Sequence, residues 1–379
     1  MRTAASLAVL ACGMAAAPWL RLGPSAEDAP AVAAVAGLIA GSLIAGVLID
    51  RARRRAALVC GLAVLGVALW CLAAGIVAPA GPHFLLGALG LGAGMSFLAA
   101  NALVWAAAPG SRAAALCLLN LPLPVGGILN PFLTPETALL AAAALATVAL
   151  AIALWAPMPP PAPAPPEVRP ATSLLALVPF MYAVCEAASW HMLAAFWRVA
   201  HVLGLVTAYL IVSYGVPLGL IVGRAASARL ASAIAPLTLL RFAAFAMAFA
   251  TALMLLARSP SAACVAAFVV GLAMAPVLPT LLALAGGALP RRPATGMAIA
   301  LAAGWLGVAA SAPLISWIAD RSNGHLAMLL LPLLSLGIAL ATVPMRYSSR
   351  PTPCPIPLAP SAIQSSQPDR PDRDSATRD

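Results

Sequence analysis

The sequence contains no lysine. All 21 of its basic residues are arginines, set against 11 acidic residues in a chain of 379, and only 8% of positions are charged. A soluble domain carries about 25%. Without lysine there is no G-x-x-x-x-G-K-[ST] loop, which excludes the usual grip on a nucleoside triphosphate. Metal-ligand spacing is missing as well. His83, His191, His201 and His325 are dispersed, and Cys12, Cys60, Cys71, Cys117, Cys185, Cys264 and Cys354 fall at no metal or disulfide spacing. The cysteines read as small buried hydrophobes, and neither a metal nor another cofactor is expected. The net charge of +10 is spread over many short segments instead of one groove, so nucleic acid is not an expected partner.

What is abundant is apolar length. Hydrophobic residues make up 63% of the chain, and the mean hydropathy is +1.00. Stretches of about 20 apolar residues recur, each long enough to cross a hydrocarbon core of about 30 Å as a helix. No water-soluble fold of this length hides so much apolar surface, which argues against an enzyme with a soluble site and for an all-α protein in a lipid bilayer. Cutting at charges, Pro and Gly gives twelve spans, near 3–20, 30–49, 56–78, 84–107, 112–132, 136–157, 173–197, 203–222, 236–256, 261–286, 294–318 and 325–345. The first is read as a span instead of a cleaved signal, because an even count needs it.

The prolines of APMPPPAPAPPEVRPATS forbid a continuing helix and divide the chain into an N-terminal bundle, 1–157, a linker, 158–172, and a C-terminal bundle, 173–345. The segment 346–379, rich in Pro, Ser, Arg and Asp, is expected to be a disordered tail. Placing the N-terminus in the cytoplasm puts seventeen of the twenty-one arginines there and leaves Arg21, Arg198, Arg258 and Arg321 outside. Positive loops resist translocation, so both termini are expected in the cytoplasm with an even span count; a monomer in a bacterial inner membrane is expected besides.

The stretch GSLIAGVLIDRARRRAALVCG gathers one acid and four arginines between apolar runs. Gly46, Leu48, Asp50, Arg51, Arg54 and Arg55 resemble the G-x-L-x-D-R-x-G-R-R loop signature of major facilitator superfamily transporters, with Arg53 in place of the second glycine. The resemblance implies a gating loop. Gly46 lets helices approach closely, and Asp50 is expected to face a helix N-terminus and pair with an arginine in one conformation only. Gly219, Gly223 and Arg224 follow Gly46, Asp50 and Arg51 by 173 residues, which places Gly223 and Arg224 in a matching loop of the second half. Asn101 and Gly126 are 25 residues apart, as are Pro279 and Gly304. Two parallel six-helix repeats with a mid-membrane interface follow from such symmetry. Pro122, Pro124, Pro276 and Pro279 are expected to kink helices at comparable places.

Near the middle of the seventh span lies Glu186, with Tyr182 four residues before it and Trp190 four after, all on one helical face. A carboxyl at the bilayer centre costs about 2.5–3.5 kcal/mol, so it is expected to face a cavity or a partner. A sugar stacking on Trp190 or a cation suits this set. His191 adds a proton relay beside Glu186, with a structural role as the alternative. Asn101 and Asn120 are amides in apolar helices, read either as interhelical ties or as substrate contacts.

The pattern Y-x-x-x-E-x-x-x-W, with TAYLIVSYGVPLGLIVGR, Asn101 to Pro131 and GLAMAPVLPT, is similar to the fucose permease and glucose–galactose symporter branch of the superfamily. It implies the major facilitator fold, two pseudo-symmetric six-helix bundles, and alternating-access transport of a small polar, sugar-like solute; efflux of amphipathic drugs or metabolites is the alternative. Phe97 stands where proton-coupled members carry an acid four residues before the fourth-helix asparagine, which leaves Glu186, with His191, to carry any coupled proton; the alternative is a facilitative uniporter or coupling to another ion.

Overall fold

A computed structural model describes residues 1–22, 29–76, 81–129, 132–158, 168–169, 174–199 and 204–347. The first half comprises α1 (Arg2–Leu22), α2 (Ala29–Asp50), α3 (Arg54–Ala73), α4 (Pro82–Ala107), α5 (Arg112–Leu119), α6 (Pro122–Leu129) and α7 (Pro135–Trp155). The second comprises α8 (Leu174–His191), α9 (Leu193–Val199), α10 (Leu205–Ala233), α11 (Pro236–Leu255), α12 (Pro260–Met274), α13 (Val277–Ala288), α14 (Pro293–Arg321), α15 (Gly324–Met328) and α16 (Leu330–Thr342). Two short strands, β1 (Val168–Arg169) and β2 (Arg346–Tyr347), pair antiparallel. Most of the linker 158–172 and the tail beyond Tyr347 lie outside the described residues.

Six of these helices begin at proline, where the missing N–H has no intrahelical partner to lose and φ is already helical. Two of the six are also capped by their own N-cap side chain: Thr134 accepts from Thr137 N at 3.2 Å and Ser259 from Ala262 N at 3.3 Å. Inside a span, proline acts oppositely. α5 and α6 are one span broken ahead of Pro122, and α12 and α13 one span broken at Pro276, so two of the expected kinks fall where they were placed. Two further spans, α8 with α9 and α15 with α16, are also interrupted, at Met192 and Leu329. Ten of the described helices are long and apolar enough to cross a bilayer, counting interrupted spans as one, and Arg2–Met14 is a shorter apolar helix. The chain is a multi-pass membrane protein, and exposed side chains such as Val67, Phe84, Phe242, Phe249 and Leu333 are the apolar surface it offers to lipid.

Two hydrophobic cores sit side by side. One runs from Ala4 to Ala153 and takes in Leu282, Ala283 and Ala285 of α13 and Ala294 to Leu301 of α14; the other runs from Val178 to Met345. Glycines let the helices of each core touch backbone to backbone. Gly37 and Gly41 of α2 press on Gly87 and Leu91 of α4, as Gly219 and Gly223 of α10 press on Phe268 and Leu272 of α12. Gly90 meets Ala34 as Gly271 meets Val216.

These matched contacts fix the internal repeat: α2 maps onto α10 with a separation of 182 residues, and α4 onto α12 with 181. The separation of 173 expected from the glycine–arginine motif is therefore corrected. In the observed register Arg224 corresponds to Ser42, and Asp50 to Ser232. The physical reason is that α10 continues through Gly223 and Arg224 to Ala233, so these two residues are not in a loop. Arg224 lies nine residues, about 13 Å, inside the helix end.

Candidate functional site

The two halves meet along a seam that is closed at the end bearing Arg51 to Arg55, Arg291 and Arg292. α14 starts there without a capping side chain of its own, since Arg292 occupies the N-cap position. The cap comes from the other half. Asp50 at the end of α2 accepts from Ala294 N at 3.0 Å, Thr295 N at 2.8 Å and Thr295 Oγ1 at 2.6 Å. A carboxylate over a helix N-terminus also gains from the aligned peptide dipoles. One turn back, a Cβ on Gly46 would lie 2.7 Å from Ala298 Cβ, so only glycine admits this approach. Two turns back, Ser42 Oγ accepts from Trp305 Nε1 at 3.3 Å. Trp105 of α4 donates to the Ala283 carbonyl of α13 at 3.2 Å, with Arg112 stacked 4.1 Å above its ring and Gly286 beneath it. Arg51 and Arg55 are exposed and Arg54 half-buried; Arg55 donates to the last-turn carbonyl of Ala156 at 2.8 Å.

Deeper in the seam lies a polar set drawn from both halves. Pro124 has no N–H to offer the Asn120 carbonyl four residues before it. That carbonyl accepts from Leu123 N at 3.2 Å and, across the seam, from Arg224 Nη1. Arg224 is fully buried, and its Nε and Nη2 have no hydrogen-bond partner. The charge of Arg224 acts on both Glu186 and Tyr182. The Tyr182 hydroxyl stands within hydrogen-bonding reach of Glu186 and lies 3.5 Å from the Met274 carbonyl beside the α12–α13 break. Tyr182 is buried, whereas Glu186 is half-buried. Trp190 reaches the other half: its ring would lie 3.1 Å from a Cβ on Gly127 of α6. Phe132 and Tyr214 add a tilted ring contact across the seam at 5.9 Å.

Asn101 and Asn120 are fully buried and meet each other. Asn120 Nδ2 donates to Asn101 Oδ1 at 2.8 Å and to the Leu116 carbonyl at 2.9 Å, and Asn101 Nδ2 donates to the Phe97 carbonyl at 2.8 Å. Asn120 Oδ1 keeps no partner. Phe97 itself stands edge-on to Trp305, with centroids 6.2 Å apart. His191 is half-buried and ends α8 five residues past Glu186. Of the expected site residues, then, Tyr182, Glu186, Arg224 and Asn120 come together around one seam, with Asn101 behind Asn120 and Trp190 one turn to the side. Asp50 and Gly46 sit at its mouth.

Ser42, Trp105, Thr295 and Trp305 were not singled out from sequence. Their one advance signal is that a polar or indole group in an apolar helix needs a partner. Among the described residues no group of three His, Cys, Asp or Glu side chains is placed to hold a metal.

No family model and no curated protein matches the chain. Solved structures do. The E. coli fucose:proton symporter FucP superposes with a TM-score of 0.73 at 17% identity, over 90% of this chain and 96% of that one. The human organic anion transporter TETRAN gives 0.71 at 16%, over 90% and 97%. The proton:xylose symporter XylE, bound to 6-bromo-6-deoxy-D-glucose, gives 0.70 at 14%, over 89% and 94%. The chain has the major facilitator fold.

Proposed function

We propose that this chain is a secondary transporter that moves a small polar, sugar-like solute across its membrane by alternating access. One observation carries the reading: polar groups from both halves, Asn120 on one side and Arg224 with Glu186 and Tyr182 on the other, meet inside a seam closed by hydrogen bonds between the halves. Asp50 binds α14 through its N-terminal N–H groups, a contact that exists only while the halves are together at that end. Such a contact biases a two-state equilibrium by its differential strength in the two states. The fucose and xylose symporters among the structural neighbours support a sugar-like solute and a coupled proton.

Glu186 is the group that carries the proton in this reading, with His191 as relay and Phe97 closing the position where an acid would otherwise share the task. The test uses the full chain in sealed vesicles. Glu186→Gln abolishes uptake driven by a pH gradient and leaves counterflow of labelled solute intact. Undiminished gradient-driven uptake after that substitution contradicts the assignment.

A further inference from the structure

Arg224 is a buried cation only partly satisfied by its surroundings. Its side chain has no solvent-accessible surface; Nη1 is taken by the Asn120 carbonyl, and Nε and Nη2 are bonded to nothing. A buried charge without partners is costly, so a position that holds one needs a compensating group in some state of the protein. The two unpaired nitrogens are not an arbitrary pair. They form the side-on edge of the guanidinium, whose parallel N–H groups match the two oxygens of one carboxylate. Glu186 does not fill this edge, although its charge reaches Arg224 and the Tyr182 hydroxyl lies within reach of its carboxylate. In the closed conformation the Nη1 bond to Asn120 holds the guanidinium plane.

Resting on the transport reading above, we propose that the solute is a hydroxy acid, and that Arg224 binds its carboxylate through Nε and Nη2. A single guanidinium facing Glu186 suits one negative charge better than the two of a phosphate monoester, and the chain contains no lysine to add a second ammonium. The hydroxyl part follows from Asn120, whose Oδ1 is a buried acceptor with no donor, on the same residue whose carbonyl holds Arg224. A solute hydroxyl supplies that donor. Arg224 is shut in this conformation. Parting of α10 from the α5–α6 break opens a gap between Arg224 and Asn120, and the solute spans it with its carboxylate on Nε and Nη2 and its hydroxyl on Asn120 Oδ1.

The experiment compares D-galacturonate, D-galactose and D-galactose 6-phosphate, which differ only at C6, for binding by calorimetry to the purified full-length protein and for uptake into vesicles. Galacturonate binds at least about tenfold more tightly than either of the others, in the range expected for a charge-assisted bidentate pair. Arg224→Lys, which keeps the charge and lacks the fork, removes that preference by about ten- to a hundredfold without a comparable loss for galactose. Galactose binding as tightly as galacturonate, an acid preference that survives Arg224→Lys, or an equal loss for acid and neutral sugar overturns the proposal. A preference for the 6-phosphate overturns the carboxylate in favour of a phosphate. Galacturonate uptake indifferent to Arg224→Lys overturns the anion site while leaving the transport reading standing. No uptake of any of these, nor of three- to six-carbon hydroxy acids and their alcohols, overturns both.

Discussion

Replacing Asp50 by Asn probes the seam most sharply, because the side chain keeps its shape and changes only its charge and bonding. The carboxylate accepts three hydrogen bonds from the first turn of α14, from Ala294 N, Thr295 N and Thr295 Oγ1. An amide offers one acceptor oxygen and turns an NH2 toward N–H groups that need acceptors. At least one bond to a charged acceptor is lost, about 1.5–3 kcal/mol, and the attraction to the helix dipole goes with it. The lost bonds are made only with the seam closed at this end, so a loss of about 2 kcal/mol raises the open fraction about 30-fold.

Ser42 reads this out. It is fully buried two turns from Asp50 and is reached from the arginine-rich end only when α2 and α14 separate. In a cysteine-free background, Ser42→Cys reacts with a hydrophilic maleimide at a rate set by that open fraction. Asp50→Asn accelerates labelling about 30-fold, while Glu136→Gln, at the start of α7, leaves it unchanged. Equal rates with and without the Asp50 carboxylate would falsify the claim that this cap holds the halves together.

Other substitutions follow from the same contacts. Gly46→Ala places a methyl 2.7 Å from Ala298 Cβ and so opens the same end, seen as faster labelling at Ser42→Cys; an unchanged rate contradicts the close approach. Asn120→Ala strands the Asn101 Oδ1 that it now satisfies and costs about 1–3 kcal/mol, read as a lowered Tm in detergent, whereas the Asn101 and Asn120 double replacement by Ala costs less than the sum of the singles. Ala52 has φ 63 in the turn between α2 and α3, a conformation that costs a β-carbon about 1 kcal/mol. Ala52→Gly therefore raises Tm by a degree or more, and a lowered Tm refutes the strain.

The span pattern was legible because lipid requires length: apolar runs between prolines and arginines give helices whose observed starts fall within a few residues of the expected ones. Kinks at Pro122 and Pro276 were legible for a local reason, the missing N–H. The role of Asp50 was half legible. Its own segment announces a helix terminus as partner, but the terminus lies 244 residues away at Ala294, and nothing near Asp50 names it. Arg224 was misread because an arginine after a glycine resembles a helix end, and arginines were counted as loop markers. Only its burial against Asn120 distinguishes a charge kept inside from one that anchors a loop, and burial is a property of the packed pair. The same error produced the separation of 173 in place of 182, since chance spacing of glycines competes with the true repeat until the helices are seen touching.

Pairs of spin labels across the seam, measured by double electron–electron resonance in vesicles, test the central claim most directly. One pair sits at the arginine-rich end, on Ala52 and Arg291, and one at the opposite end, on Gly81 and Ser261, each joining one half to the other. Rocking of two six-helix bundles predicts that the two distances change in opposite senses when a transported solute or a pH step is applied, one shortening as the other lengthens. Distances that stay fixed, or that grow and shrink together, contradict alternating access by this chain.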